Sequence, residues 1–283
     1  MSLHFFSQTA YLQRWVSDQK RLGHSVGFVP TMGALHAGHT SLVTRALEHC
    51  DKVVVSIFVN PTQFNDPKDL LHYPKTLPSD TDKLLNVNCH AVFVPTVAEV
   101  YPDGPVSEVW HVGAVKDLLE GAFRPGHFDG VLSVVKRLFD MVRPDIAFFG
   151  EKDYQQKLLI RLMAAQACPD VKIMSFPTIR EEDGLAMSSR NVRLKADERS
   201  VSVLISKALN EMKNGRPEFS PEELVQKATT MLNAAPSVRI EYVTIADADT
   251  LESISSWPAD NKPLRALIAA WVGNVRLIDN VEV

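Results

Sequence analysis

The stretch "VPTMGALHAGHTSL", Val29 to Leu42, decides how the chain is read. A buried-strand run, "SVGFVP", ends on its first residues. In "GHTSLVTRALEHC", Leu42, Val43, Ala46 and Leu47 then fall on one helical face. Between strand and helix the chain turns through Gly33 and Gly38 and carries His36 and His39, three positions apart. Gly38 or a neighbour is expected to start the helix, so free N–H groups and the positive dipole end point at one place, which attracts phosphate. The two glycines let the backbone approach a ligand closely and take positive φ. Both histidines can face that place and donate to phosphate oxygens; the competing reading is a capping or packing pair. Zinc is disfavoured because no third ligand stands at a recognisable spacing.

The same alternation continues outward. "KVVVSIFVN", "HAVFVP", "DIAFFG" and "VKIMSFPTI" are near-continuous apolar runs, as expected of strands covered on both faces. Helical patterns occupy Ser7 to about Leu22, "GVLSVVKRLFDMV" and "YQQKLLIRLMAAQA". Buried strands alternating with helices predict an α/β fold, a Rossmann-like doubly wound parallel sheet with right-handed crossovers. After about Gly184 the texture changes. "KADERSVSVLISKALNEMKNG" and "SPEELVQKATTMLNAA" read as consecutive helices, the second opening on a Ser220…Glu223 capping box. "VRIEYVTIADADTLE" and "LRALIAAWVGNVRLIDNVEV" read as strands, the last two joined at "VGN". The expected division is residues 1–184, Rossmann-like, and 185–283, a smaller α+β domain. The boundary falls in "IREEDGLAMSSRN", which can serve as a hinge, with "REED" a solvated linker.

Composition narrows the class. The 283 residues are 45% hydrophobic and 23% charged, enough for ordinary cores. A net charge of −4 argues against broad binding to nucleic acid or acidic membranes. Cys50, Cys89 and Cys168 form no C-x-x-C and suggest neither disulfides nor zinc. The N-terminal stretch lacks a signal-peptide apolar region, and the longest apolar run, "ALIAAWVG", is too short to span a bilayer. A soluble cytoplasmic enzyme with small-molecule partners is expected.

In open α/β sheets ligands bind beyond the carboxyl ends of the strands. "TMGALHAGH", "NPTQFNDP", "PTVAEVYPDG", "GEKDYQQ" and "PTIREEDGLAMSSRN" follow the strands in turn, which gathers the conspicuous polar residues on one rim. Asn60 and Gln63 offer amides that donate and accept together. Lys152 is a point charge suited to phosphate. Asp153 suits ribose hydroxyls or a helix cap. Asp80 suits Mg²⁺ through water or the cap of "DTDKLLN". Arg124 and His127 line a pocket, or Pro125-Gly126 is only a turn. The stripe Val134, Val135, Leu138, Phe139 and Val142 is core or dimer surface.

H-x-G-H after a buried strand resembles the nucleotidylyltransferase superfamily, which includes class I aminoacyl-tRNA synthetases. The ordered strings "PTMGALHAGH", "NPTQF", "RPGHFDGV", "FGEKDYQQ" and "MSSRN" are more specific. From about Ser25 to Asn191 the chain resembles the pantothenate synthetase (pantoate–β-alanine ligase) family. That resemblance implies an AMP-forming ligase that activates pantoate as an adenylate, releases pyrophosphate and transfers the acyl group to β-alanine. It implies ATP contacts from Met32, Gly33, Ala34, Leu35, His36, Ala37, Gly38 and His39, and from Gly150, Glu151, Lys152 and Asp153. Ile179, Met187, Ser188, Ser189 and Arg190 complete that ATP set. Asn60, Gln63 and Gln156 are implied for pantoate and β-alanine, Mg²⁺ accompanies ATP, and the chain forms a homodimer. His36, His39, Lys152 and Arg190 are the implied catalytic set. The alternative function is a nucleotidylyltransferase acting on a phosphorylated acceptor. An aminoacyl-tRNA synthetase is disfavoured by the short, acidic chain, and an inactive nucleotide-binding module by the intact charged set.

Overall fold

A computed structural model describes residues 2–65, 67–260 and 262–283. They form two compact units: Met1–Lys116, Arg124–Glu151 and Gln156–Pro177 in the first, and Asp117–Phe123, Lys152–Gln155 and Thr178–Val283 in the second.

The first unit is built on a six-stranded sheet, every pairing parallel. Its strands are β1 (His4–Phe6), β2 (Val26–Thr31), β3 (Lys52–Ile57), β4 (Ala91–Phe93), β5 (Ile146–Gly150) and β6 (Lys172–Phe176), ordered β1-β4-β3-β2-β5-β6. Val26, Phe28 and Val29 of β2 and Val53, Val54 and Val55 of β3 are fully buried, which is why these runs carry no apolar/polar alternation. The chain runs from β2 outward to β3 and β4 on one side and then crosses to β5 on the other. The switch point, where such sheets bind ligands, lies at the carboxyl ends of β2 and β5. Thr31 and Gly150 end those strands. The stripe on helix His127–Val142 is core: Phe139 is buried, edge-on to Phe28 at 6.2 Å between ring centres. The edge strand β1 is an addition to the sequence reading, since three residues with one histidine among them carry no strand signal of their own.

The second unit holds β7 (Val238–Asp247), β8 (Leu264–Val272) and β9 (Val275–Glu282) in an antiparallel sheet ordered β7-β8-β9. Helices Ala196–Asn214 and Pro221–Asn233 bury Leu209, Met212, Leu224 and Ala228 in one core with Ile268 and Ala270 of the sheet. The expected capping box is in place: Glu223 N–H donates to Ser220 Oγ at 3.2 Å, and Ser220 N–H to the Glu223 carboxylate at 2.8 Å. Among the described residues no helix is long and apolar enough to cross a membrane.

Candidate active site

Helix Ala37–His49 begins one residue earlier than Gly38, with extended His36 as its cap. The two histidines close a reciprocal box. Gly38 N–H donates to His36 Nδ1 at 3.1 Å, and His36 N–H donates to His39 Nδ1 at 3.3 Å. Their ring centres are 4.1 Å apart. The capping reading is therefore realised, and it has a chemical consequence. A neutral imidazole that accepts at Nδ1 carries its proton on Nε2, so the cap fixes both rings as Nε2–H donors. Gly38 is helical and does not adopt positive φ; Gly33 does, at +81°, followed by Ala34 at +49°.

Two left-handed residues in a row, one of them not glycine, need holding. Asp80 holds them. Its carboxylate accepts from Ala34 N–H at 3.0 Å, Leu35 N–H at 2.8 Å and Thr76 Oγ at 3.1 Å. Lys83 Nζ, one turn along the same helix Leu77–Asn86, donates to the Leu35 carbonyl at 2.6 Å. Asp80 is completely buried and Thr76, not Asp80, occupies the cap. With three donors on a sealed carboxylate, Asp80 does not fit a magnesium ligand. Among the described residues no group of three or more His, Cys, Asp or Glu side chains could hold a metal.

Asn60 and Gln63 lie beyond the end of β3, on a short turn at Pro61–Gln63. Asn60 is buried, and its bonds point inward: Tyr101 Oη donates to Oδ1 at 2.8 Å, and Nδ2 donates to Gly130 O at 3.1 Å and Gln63 Oε1 at 3.2 Å. It thus orients Gln63, whose Nε2 lies 3.0 Å from Met32 Sδ. His127 completes the support, with Nδ1 donating to the Gln63 carbonyl at 2.8 Å. Gly126, at φ +77°, caps helix His127–Val142, so the expected turn exists and also delivers His127. Gln156 is half-buried in helix Tyr154–Ala167.

In the second unit Lys152 and Asp153 sit on a 3-10 turn, Glu151–Asp153, with Lys152 Nζ 3.9 Å from Asp153 Oδ1. Residues 179–187 form a tight hairpin, closed by Met187 N–H to Ile179 O at 3.0 Å and Glu181 N–H to Leu185 O at 2.8 Å. Ile179 is past β6, not at its end. "REED" lies in that hairpin and is ion-paired, with Arg180 and Glu181 half-buried and Glu182 and Asp183 exposed. Arg199 pairs with Glu181 at 2.6 Å and Asp183 at 2.7 Å, and Arg180 pairs with the buried Asp279 at 2.6 Å. The hairpin leads into Ser188, whose Oγ accepts from Arg190 N–H at 3.2 Å.

Burial pushes the Cys50 thiol up to about 11 and the Cys89 thiol up to about 12, which leaves neither as a thiolate nucleophile.

A family model for pantoate-beta-alanine ligase matches residues 4–282. The chain belongs to the pantoate-beta-alanine ligase family. The ligase is 46% identical over 280 residues to a pantothenate synthetase of Porphyromonas gingivalis, covering 99% of each chain. A crystal structure of pantothenate synthetase from Thermus thermophilus matches with a TM-score of 0.92 at 40% identity, covering 99% of both chains. A pantoate-beta-alanine ligase from Francisella tularensis, crystallised with "Beta-gamma ATP" and β-alanine, matches with a TM-score of 0.79 at 34% identity. It covers 99% of the ligase and 97% of its own chain.

Several supporting residues of the ligase carry no local signal. Tyr101 and Gly130 are 41 and 70 positions from Asn60. A Cβ at Gly130 would stand 2.5 Å from the Thr62 carbonyl oxygen, so only glycine lets the turn lie on the helix. The glycine in "HFDGV" is a visible hint, but nothing in the string names its partner.

Proposed function

We propose that the ligase uses ATP to join pantoate to β-alanine through a pantoyl adenylate. The observation that carries the reading is the reciprocal His36–His39 cap at the carboxyl end of β2, which sets two Nε2–H donors at the sheet's switch point. A carboxylate is a poor acyl electrophile, so one of its oxygens attacks the α-phosphorus of ATP and pyrophosphate leaves. The β-alanine amine then attacks the acyl carbon of the mixed anhydride, loses its proton, and AMP departs as the amide forms. Both steps need aligned anions and donors where charge grows on phosphate oxygens. His39 and His36 supply those donors, with Lys152 and Arg190 adding positive charge.

The remaining ATP contacts are assigned to Met32, Gly33, Ala34, Leu35, Ala37, Gly38, Gly150, Glu151, Asp153, Ile179, Met187, Ser188 and Ser189. At Gly150 the nearest atom to an added Cβ is Leu42 Cδ1 at 4.0 Å, so packing does not demand the glycine, and room for a ligand close to the backbone supports its assignment. Gln63 and Gln156 hold pantoate, and Asn60 serves by orienting Gln63. Magnesium enters on the ATP phosphates, with no side chain of the ligase assigned to it. The Francisella relative's ATP-type ligand and β-alanine support the substrate set. ATP is expected to protect "REEDGLAMSSRN", which carries Met187 to Arg190, from proteolysis. The chain works as a homodimer in the cytoplasm, and sedimentation at micromolar concentration tests its mass.

The deciding assay is AMP release with pantoate, β-alanine or ATP omitted in turn. AMP and pantothenate should appear together only with all three present. Steady AMP release without pantoate, or a released nucleotidyl product, refutes the reading.

A further inference from the structure

The second unit buries two adjacent polar residues of β9, Asp279 and Asn280, each only 4% exposed. Burying polar groups is unfavourable unless their partners are well placed. Here the partners belong to the segments assigned to ATP. Asn280 Nδ2 donates to the main-chain carbonyl of Lys152 at 2.9 Å, across 128 positions of sequence. Its Oδ1 accepts from Arg265 at 3.3 Å, and the Arg265 guanidinium stands 4.2 Å from the centre of the Tyr154 ring. Asp279 receives both terminal nitrogens of Arg180, at 2.6 and 3.0 Å, and Arg180 also donates to Gly184 O at 3.0 Å.

The same turn is tied a second time. Gln155, buried, accepts from Glu120 N–H at 3.0 Å and donates to Leu118 O at 2.8 Å. Glu120 is gripped by both terminal nitrogens of Arg276, again from β9, at 2.7 Å each. One strand therefore ties Lys152 directly and Gln155 through Glu120. Asn280 reaches Lys152 itself, at the carbonyl next to the Cα from which its side chain springs.

We propose that Asn280 is a positioning residue for Lys152, setting through the Lys152 carbonyl where the ammonium group meets phosphate. The catalytic part of this inference rests on the phosphate role of Lys152; the positioning part stands on the hydrogen bonds alone. Two variants separate donor from bulk. Asn280→Ala removes the side chain. Asn280→Asp keeps its size and its acceptor for Arg265, and exchanges the donor for a carboxylate oxygen whose charge faces Arg265, so it serves if the alanine variant does not fold.

Hydrogen exchange followed by mass spectrometry on the full chain without ligand reads the positioning. Exchange should quicken at residues 152–156 while the β7–β9 sheet keeps its protection. Unchanged protection at 152–156, or faster exchange spread evenly through β7–β9, overturns the inference. Pantoate-dependent ATP–pyrophosphate exchange reads the consequence. A displacement on the order of 1 Å lowers such rates by about 10²-fold, with the KM for pantoate unchanged. Local loosening at 152–156 with an undiminished exchange rate supports the positioning contact and refutes the phosphate role of Lys152.

Discussion

Gly130→Ala tests whether Gln63 is placed by the helix beneath it. The new Cβ would lie 2.5 Å from Thr62 O, 2.7 Å from Thr62 C and 3.0 Å from Gln63 Cα, all main-chain atoms that cannot swing aside as a side chain can. Restoring ordinary contact moves the Thr62 carbonyl by about 0.9 Å. In an exposed helix the change would gain about 1 kcal/mol. Overpacking of a close contact loses about 1–3 kcal/mol, and weakening the Asn60 bond to Gly130 O loses about 1 kcal/mol more. The losses win, by roughly 1–3 kcal/mol, which lowers the first unit's melting temperature by roughly 2–12 °C. Function should suffer more than stability. A shift near 1 Å at Gln63 reduces kcat/KM for pantoate by about 10- to 100-fold, while KM for ATP changes little. Steady-state AMP release at varied pantoate, beside a thermal melt, measures both. A Gly130→Ala enzyme as stable as the parent and unchanged toward pantoate refutes the argument that this contact places Gln63.

Asp80→Asn removes a charged acceptor from two main-chain donors of the 33–35 turn. It should destabilise by roughly 2–6 kcal/mol in urea unfolding, with magnesium dependence unaltered in whatever enzyme remains folded. Arg276→Met strands Glu120 and Glu241, both within 2.7 Å of the guanidinium, and should lose about 3–5 kcal/mol by the same measurement. On the acid side, the Ser25 backbone N–H holds the Asp51 carboxyl below its usual range, and the Thr250 backbone N–H does so for Asp247. Folded values below unfolded ones give stability that is present above about pH 4 and lost as pH falls through the folded values. The melting temperature should therefore drop below about pH 4, less steeply in Asp51→Asn.

The parts legible in the sequence are those whose signal is local. Val53 to Val55 announce a strand because every side chain is buried, and Ser220 with Glu223 announces a helix start because the cap lies within one turn. His36 and His39 are legible as a pair, although their use of Nδ1 for capping needs the coordinates. Asp80 misleads because a carboxylate near a helix start suits a cap or a metal equally. Its real partners, Ala34 and Leu35, lie 46 and 45 positions earlier. "REED" reads as a bare linker because a run of charged residues has no apolar period, and Arg199, its partner, sits on the next helix. Asn60 looks like a ligand for the same reason that it makes a good scaffold: an amide donates and accepts at once.

The central claim is that the carboxylate of pantoate is activated on ATP before any amine takes part. The most direct measurement is ATP–pyrophosphate exchange with pantoate present and β-alanine withheld. Exchange should depend on pantoate and fall by about 10²–10³-fold in His36→Ala and in His39→Ala. Exchange that requires β-alanine, or that survives undiminished in both variants, contradicts it.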